Sequence, residues 1–238
     1  MSALRMNSNT KYISFSGIDG AGKSTQIEAL CARLKKDGMK VNLITFWDDV
    51  ARLTHIREAT GHRIFKGDKG VGTPLAPINR RDKNVKSGLM TGVRLFLYFI
   101  DAISVRSAVN KALHSGADLV IFDRYTYDEL ANLTLRNPAI RAYVRLIMML
   151  VPRPHISYLL DADPIQARAR KPEYPIEFLY TNRHSYMSLS ELVGGMTVIA
   201  PMPICEAARA ILRHARKELS FEVPERENDG AIVSRDRH

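Results

Sequence analysis

The chain has 238 residues, with 35 lysines and arginines against 25 aspartates and glutamates, and a formal net charge of +10. This length suits one α/β domain, no apolar run is long enough to span a membrane, and the first nine residues are too short and polar for a signal peptide, so we predict a cytoplasmic protein without a membrane partner. The arginines are spread over many segments without an RNA-binding motif, so we predict that the basic charge serves a polyphosphate substrate rather than a nucleic acid.

The first predicted elements are a strand, a glycine-rich loop and a helix in direct succession. Residues 11–15 are β-branched, aromatic and compact, as in a short buried strand, and Ile27, Leu30 and Leu34 recur at helical spacing. Between them, residues 17–24 fit the phosphate-binding pattern G-x-x-x-x-G-K-[ST]. Because the three elements follow in the required order, we predict that the segment binds a nucleoside triphosphate, taken as ATP, through Gly17, Ile18, Asp19, Gly20, Ala21, Gly22, Lys23, Ser24 and Thr25.

The residue types in this loop explain why the pattern favours a polyphosphate. Glycines let consecutive N–H groups point at phosphate oxygens, and a helix N-terminus adds a field that favours an anion. We predict that Lys23 is catalytic and reaches the β- and γ-phosphates, and that the Ser24 hydroxyl ligates Mg²⁺. The predicted cofactor is therefore Mg²⁺, with ATP as the co-substrate.

Strand-like and helix-like segments alternate along the rest of the chain, which is typical of a parallel sheet with helices on both faces. Further strands are predicted at residues 41–45, 119–122, 155–160 and 197–199, and helices at about 87–114 and after Pro203. We predict an α/β protein with three layers, α/β/α, around a five-stranded parallel sheet. Cys31 and Cys205 fall on the apolar sides of predicted helices, so we predict two buried thiols rather than a disulfide.

Two segments interrupt the alternation. Residues 61–86 are rich in Gly, Lys, Arg and Asp without sustained periodicity, as in a functional or disordered loop. Residues 221–238 are polar and mixed in charge, as in a frayed terminus. We predict a single domain over residues 1–220, with a basic insertion at about 61–86 and a flexible tail at 221–238.

A second candidate site follows the third predicted strand, at Asp123-Arg124-Tyr125. In an open α/β sheet, ligands bind beyond the carboxyl ends of the strands, so this tripeptide and the phosphate loop share one edge. We predict that Asp123 holds Mg²⁺, usually through water, and that Arg124 clamps a second phosphate. In isolation the pair could be a surface ion pair, but beside a phosphate loop we favour the functional interpretation.

The chain resembles the thymidylate kinase family of nucleoside monophosphate kinases in three blocks of sequence. They are residues 15–26, the Asp-Arg-Tyr motif at 123–125, and residues 160–164 with Ala167 and Arg170. The spacing of the blocks agrees, and the resemblance covers most of residues 11–215. It implies a P-loop kinase fold with a small lid. In that fold Asp19 contacts the acceptor sugar or helps to arrange Mg²⁺, and Arg124 binds the acceptor's phosphate.

The resemblance also implies a lid at about residues 166–176. In some members of the family an arginine in the phosphate loop assists transfer, and in others the lid supplies it. Here positions 18–21 hold no arginine, whereas Arg168 and Arg170 fall in the lid-like segment. We predict that at least one of them is catalytic, because a lid that closes over the transferred group neutralises its charge and excludes water. The alternative is a solvated helix face.

The acceptor side of the site departs from the family. Thymidylate kinases carry an Asp-Arg pair on the long central helix, where this chain has Asp101-Ala102, and the family's Ala-Tyr-Gln is replaced by Ala131-Asn132-Leu133. Tyr98, one turn before Asp101, could stack on a base or belong to the core. Asp48 lies at the ligand edge of the sheet, where it could contact the acceptor as a general base, bind metal or belong to a surface turn. The candidate acceptor contacts are thus Asp48, Tyr98 and Arg124.

These observations predict a kinase that transfers the γ-phosphate of Mg-ATP to a nucleoside monophosphate, with dTMP as the default acceptor. The loss of several base-reading residues leaves a different acceptor open, such as another nucleotide, a nucleoside or a sugar. A non-enzymatic, nucleotide-dependent nucleic-acid-binding module and a small ATPase are the competing interpretations. A homodimer through the long helices also stays open.

Overall fold

A five-stranded parallel sheet forms the centre of the protein in the computed structural model, which describes residues 10–46 and 88–219. The spatial order of the strands is β2-β3-β1-β4-β5, so β1 is central, with β3 on one side and β4 on the other. Every strand was predicted to within one residue at either end, and the sheet is parallel as expected. The strands are β1 (Lys11–Ser16), β2 (Val41–Thr45), β3 (Leu119–Asp123), β4 (Ile156–Leu160) and β5 (Met196–Ile199).

Helices cover both faces of this sheet. Among the helices given below in chain order, the second is the predicted long helix and the last is the predicted closing helix. The third, fourth and sixth helices were not predicted. The helices are α1 (Lys23–Lys36), α2 (Gly88–Leu113), α3 (Thr126–Leu130), α4 (Pro138–Leu150), α5 (Pro164–Arg170), α6 (Ile176–Val193) and α7 (Ile204–Leu219).

Successive residues of the strands pack into two different hydrophobic cores, because side chains alternate between the faces of a sheet. On one face, Tyr12 and Phe122 lie in a cluster with residues of α2, α3, α4 and α6. On the other face, Ile13 and Phe15 pack with residues of α1 and α7. Strands that are buried on both faces read as continuous apolar runs, which explains why the sequence located them well. The predicted α/β/α layering is confirmed.

Side-chain caps fix the starts of α4 and α5. The Asn137 side chain accepts a hydrogen bond from the Ala139 amide at 2.9 Å, directly before α4. The Asp163 carboxylate accepts from the amides of Ile165 and Gln166, both at 3.0 Å, directly before α5. Proline follows each cap at the first helical position, where it loses no hydrogen bond. The orientation of α5 is therefore set locally.

The predicted basic insertion at 61–86, the predicted tail at 221–238 and Asp48 lie outside the described residues. Both cysteines are free thiols, but the prediction that Cys205 is buried is wrong. Cys205 lies in the first turn of α7 and is exposed, because the buried side of that helix begins at Ala207 and continues through Ile211. Across residues 10–46 and 88–219, no helix has the length and apolar character to cross a membrane.

Candidate active site

The loop between β1 and α1 has the backbone of a phosphate-binding loop. Gly17, Gly20 and Gly22 have φ values of +142°, +82° and +89°, which residues other than glycine rarely adopt. The first helical bond of α1 runs from the Gln26 amide to the Gly22 carbonyl at 3.0 Å. The amides of the preceding turn have no carbonyl partner within the helix, as at any helix N-terminus, and can bind phosphate oxygens.

Two of these glycines also lie against neighbouring backbone. A Cβ at Gly17 would come within 2.5 Å of the Leu160 carbonyl oxygen at the end of β4. A Cβ at Gly20 would come within 2.2 Å of the Ala167 carbonyl oxygen in α5. The loop is therefore enclosed by the end of a strand on one side and by the lid-like helix on the other.

Lys23, the first residue of α1, turns its ammonium group back onto the loop. Its Nζ donates to the carbonyl oxygens of Gly17 at 2.8 Å and Ile18 at 3.0 Å, and the residue is only 6% exposed. Burial, together with the nearby positive charge of Arg124, lowers the pKa of Lys23 to about 8, against the opposing effect of Asp19. A phosphate group in the loop would add negative charge beside this buried cation.

Arg124 lies between two carboxylates. Its Nη2 donates to Asp19 Oδ1 and its Nη1 donates to Asp128 Oδ1 at 3.1 Å. Burial lowers the pKa of Arg124, but Asp128 and Asp19 outweigh that effect and raise the pKa above its usual value. The backbone has a φ of +70°, and the Arg124 amide donates to the Phe15 carbonyl at 3.0 Å. The structure thus brings together Asp19 and Arg124, which belong to separate motifs.

Asp128 is a site residue that the sequence interpretation missed. Besides Arg124, its carboxylate accepts from Ser16 Oγ at 2.7 Å, the Tyr125 amide at 3.1 Å and Tyr186 Oη at 2.7 Å. Asp128 is 3% exposed. The spacing of Arg124 and Asp128, four residues apart, was a signal for this pair. Tyr186 lies 58 residues further along the chain and gave no local signal.

Asp123 and Ser24 have the oxygen donors that Mg²⁺ prefers. Asp123 ends β3 in register with Phe15 of β1, so its carboxyl lies at the strand end from which the loop begins. Burial raises the pKa of Asp123, and the positive charge of Lys23 partly offsets this. Ser24 lies in the exposed first turn of α1. The described residues hold no group of three or more His, Cys, Asp or Glu side chains suited to a metal.

The lid-like helix α5 brings one of its two candidate arginines to the loop. Arg170 Nη1 donates to the Gly20 carbonyl at 2.9 Å, whereas Arg168 lies half-buried elsewhere on the same helix. A further pair, also missed, links α6 to the sheet edge: Arg183 donates to both oxygens of Asp161, at 2.6 and 2.7 Å. The hydrogen bond to Asp161 raises the pKa of Arg183.

Thymidylate kinases match this chain along most of its length. A probable thymidylate kinase of Methanosphaera stadtmanae is 25% identical over 209 residues, which cover 85% of this chain and 95% of that protein. A probable thymidylate kinase of Thermococcus gammatolerans is 28% identical over 203 residues, covering 79% and 86%. The thymidylate kinase of Bifidobacterium longum strain NCC 2705 is 29% identical over 166 residues, covering 68% and 71%. The chain is therefore similar to thymidylate kinases over most of its length.

No family model matches the chain, so the similarity to thymidylate kinases rests on these relatives. With the parallel sheet, it confirms the predicted P-loop kinase fold, and it confirms the predicted class, an ATP-dependent kinase.

The residues that depart from the thymidylate kinase pattern are buried in the core or hydrogen-bonded within the protein. Ala102 is fully buried in α2, and Tyr98 is 7% exposed within the same core cluster. The Asn132 side chain donates to the Asp128 carbonyl at 2.8 Å, at the end of α3, and Leu133 belongs to the core. The predicted roles of Tyr98 and Asp48 in acceptor binding stay predictions.

Proposed function

We propose that this protein transfers the γ-phosphate of Mg-ATP to a nucleoside monophosphate, with dTMP as the first candidate. The observation that supports the proposal most strongly is the convergence of three cationic side chains on one end of the sheet. Lys23 and Arg170 both bond to carbonyls of the phosphate loop, and Arg124 follows the neighbouring strand. Phosphoryl transfer depends mainly on positioning and on neutralising charge, which such a cluster supplies.

On the donor side, Lys23 would exchange the carbonyls of Gly17 and Ile18 for β- and γ-phosphate oxygens. Ser24 and Asp123 would hold Mg²⁺, which when bound neutralises phosphate charge and orients the chain of phosphates. Arg170 would move from the Gly20 carbonyl to the transferred group, so that α5 acts as the lid.

On the acceptor side, Arg124 would bind the acceptor's phosphate with the guanidinium N–H groups that Asp19 and Asp128 leave free. Arg124 has five N–H donors, and the two carboxylates take one each in the bonds described above. Asp19 would contact the acceptor sugar or help to arrange the metal.

A different acceptor is the second candidate function. Ala102, Asn132 and Leu133 lie where thymidylate kinases carry base-contacting residues, and in this structure each is buried or bonded within the protein. A site that recognises its substrate by hydrogen bonds loses several powers of ten in discrimination when those bonds are lost. Another nucleotide, a nucleoside or a sugar would then be the substrate.

A homodimer through α2 is a further element of the proposal. Phe96 and Ile103 of α2 are 63% and 55% exposed, and Met149 of the adjacent helix α4 is 75% exposed. The two helices are joined by a hydrogen bond from Tyr143 Oη to the Leu95 carbonyl at 2.6 Å. A second copy would bury these apolar side chains. Sedimentation equilibrium should give about twice 26.8 kDa, and Phe96→Glu should give the monomer mass. A monomeric wild-type protein would contradict this element.

The experiment that tests the proposed function is Mg-ATP-dependent ADP release over a panel of nucleoside monophosphates, deoxynucleoside monophosphates, nucleosides and simple sugars. We expect the strongest stimulation by dTMP, a phosphorylated product, and no turnover by Lys23→Ala. Turnover on another compound with silence on dTMP would favour the second candidate. Acceptor-independent hydrolysis, or salt-sensitive nucleic-acid binding without turnover, would refute the kinase proposal.

A further inference from the structure

We propose that Asp128 is a positioning residue for Arg124, and that Tyr186 and Ser16 orient its carboxylate for this task. The inference concerns how Arg124 is held, and only its kinetic consequence rests on the proposed function. Neither the phosphate loop nor the Asp-Arg-Tyr tripeptide contains these three residues. They come from the end of β1, from α3 and from α6.

The Asp128 carboxylate has all its contacts on the active-site end of the sheet. Its Oδ1 accepts from Arg124 Nη1 at 3.1 Å and from Tyr186 Oη at 2.7 Å. Its Oδ2 accepts from Ser16 Oγ at 2.7 Å and from the Tyr125 amide at 3.1 Å. Each oxygen thus accepts two hydrogen bonds, which is the full capacity of an ionised carboxylate.

This arrangement requires a carboxylate. An asparagine has one acceptor oxygen, so its amide nitrogen would face either the Arg124 guanidinium or the Tyr125 amide, and neither of these groups can accept a hydrogen bond. Asp128 is 3% exposed, so water cannot readily replace the lost partners. Removal of the charge would also leave Arg124 with Asp19 alone, at one end of its guanidinium.

The contacts fix both the side chain and the backbone of Arg124. Among the described residues, Arg124 is the one non-glycine residue with a positive φ, at +70°. That conformation is unfavourable for a residue with a side chain and persists only where the surroundings hold it. The Tyr125 amide bonded to Asp128 Oδ2 and the Arg124 amide bonded to the Phe15 carbonyl lie on either side of this turn. Asp128 therefore holds the guanidinium and the peptide that carries it.

The kinetic test compares Asp128→Asn and Tyr186→Phe with the wild-type protein and with Tyr158→Phe. Tyr158 is a matched control, because it is also a buried tyrosine, but its hydroxyl bonds to the Ile211 carbonyl and the His214 ring on the other face of the sheet. We expect Asp128→Asn to raise the acceptor KM by roughly ten- to a hundredfold, the loss of charge-assisted hydrogen bonds, with the KM for ATP within about twofold. Tyr186→Phe should show the same split on a smaller scale, and Tyr158→Phe should show none.

A second readout does not need turnover. In protein labelled with ¹⁵N-arginine, the guanidinium signal of Arg124, identified by its loss in Arg124→Lys, should show slow rotation because both ends are held. Rotation should be fast in Asp128→Asn and intermediate in Tyr186→Phe. If no acceptor is turned over by the wild-type protein, the proposed function fails and this signal still decides the present inference. If Asp128→Asn does not fold, Tyr186→Phe decides it.

Unchanged acceptor KM together with an unchanged Arg124 signal in a folded variant would overturn the inference. A parallel rise in both KM values, equal to that of Tyr158→Phe, would also overturn it, because general destabilisation would then explain the effect.

Discussion

Alanine at Gly20 tests the contact between the lid-like helix α5 and the phosphate loop. A Cβ there would be 2.2 Å from the Ala167 carbonyl oxygen of α5, and the oxygen would have to move by about 0.8 Å to reach 3.0 Å. Gly22 is the matched control. Its φ of +89° is close to the +82° of Gly20, but nothing lies within 4 Å of a Cβ at that position.

The two variants separate backbone strain from the contact with α5. A left-handed conformation costs a residue with a side chain about 1–2 kcal/mol, and both variants should lose this much free energy of unfolding. Gly20→Ala should lose about 1–3 kcal/mol more, as expected for overpacking against backbone that must shift. Urea unfolding at constant m-value measures the difference, and thermal unfolding should follow at about 2–4 °C per kcal/mol.

The comparison also has a functional readout. Displacement of α5 would move Arg170 away from the Gly20 carbonyl, so turnover at saturating ATP should fall more in Gly20→Ala than in Gly22→Ala. Equal losses of stability in the two variants would refute the reasoning, since the contact between α5 and the loop would then contribute nothing.

Three further predictions concern charged groups. The pKa of Lys23 in the free protein is about 8, and an anionic nucleotide favours its charged form, so ADP binding at about pH 8.5 should take up protons and should weaken as the pH rises further. Calorimetry in buffers of different ionisation enthalpy measures the proton uptake, and uptake that persists in Lys23→Met would refute the assignment to Lys23. Asp163→Ala removes the cap of α5 and should cost about 1 kcal/mol in urea unfolding, with Asp163→Ser restoring most of it; no loss would contradict the cap. Arg170→Ala should lower kcat by about 10²-fold or more without loss of stability, whereas Arg168→Ala should change it little, and the reverse order would move the catalytic role to Arg168.

The sequence predicted the sheet better than the helices that cover it. Strands buried on both faces are short apolar runs, such as Leu119–Asp123, and stand out against polar neighbours. Helix α6 has a weak local signal, because it carries polar and aromatic residues on most of its faces and follows two prolines. Helix α4 was not predicted although its sequence carries a signal, an Asn-Pro start followed by one apolar face. The positions of both helices depend on packing, of α4 against α2 and of α6 against α3 and α4, which a local pattern does not contain.

The candidate site divides in a similar way. The phosphate loop is predictable because all its residues are consecutive, and each of its glycines has a positive φ that favours glycine at that position. Asp128, Tyr186 and Ser16 were not predicted, because their bonds join segments 58 and 112 residues apart. Arg183 and Asp161 were missed for the same reason. Cys205 is exposed, contrary to the prediction, because the buried side of α7 begins about one turn later than the sequence pattern suggested.

The central position of β1 has a consequence for the order in which the protein folds during synthesis. Tyr12 is in register with Val120 and Ile13 with Ile156, so each partner is made more than a hundred residues later. The next strand made, β2, is no neighbour of β1, because β3 lies between them. Contacts so distant in sequence form slowly, since a long loop must close before they contribute. A nascent chain that has not reached Ile156 therefore carries β1 as an apolar strand with at least one unpaired edge. The phosphate loop that follows β1 folds only after most of the domain has left the ribosome.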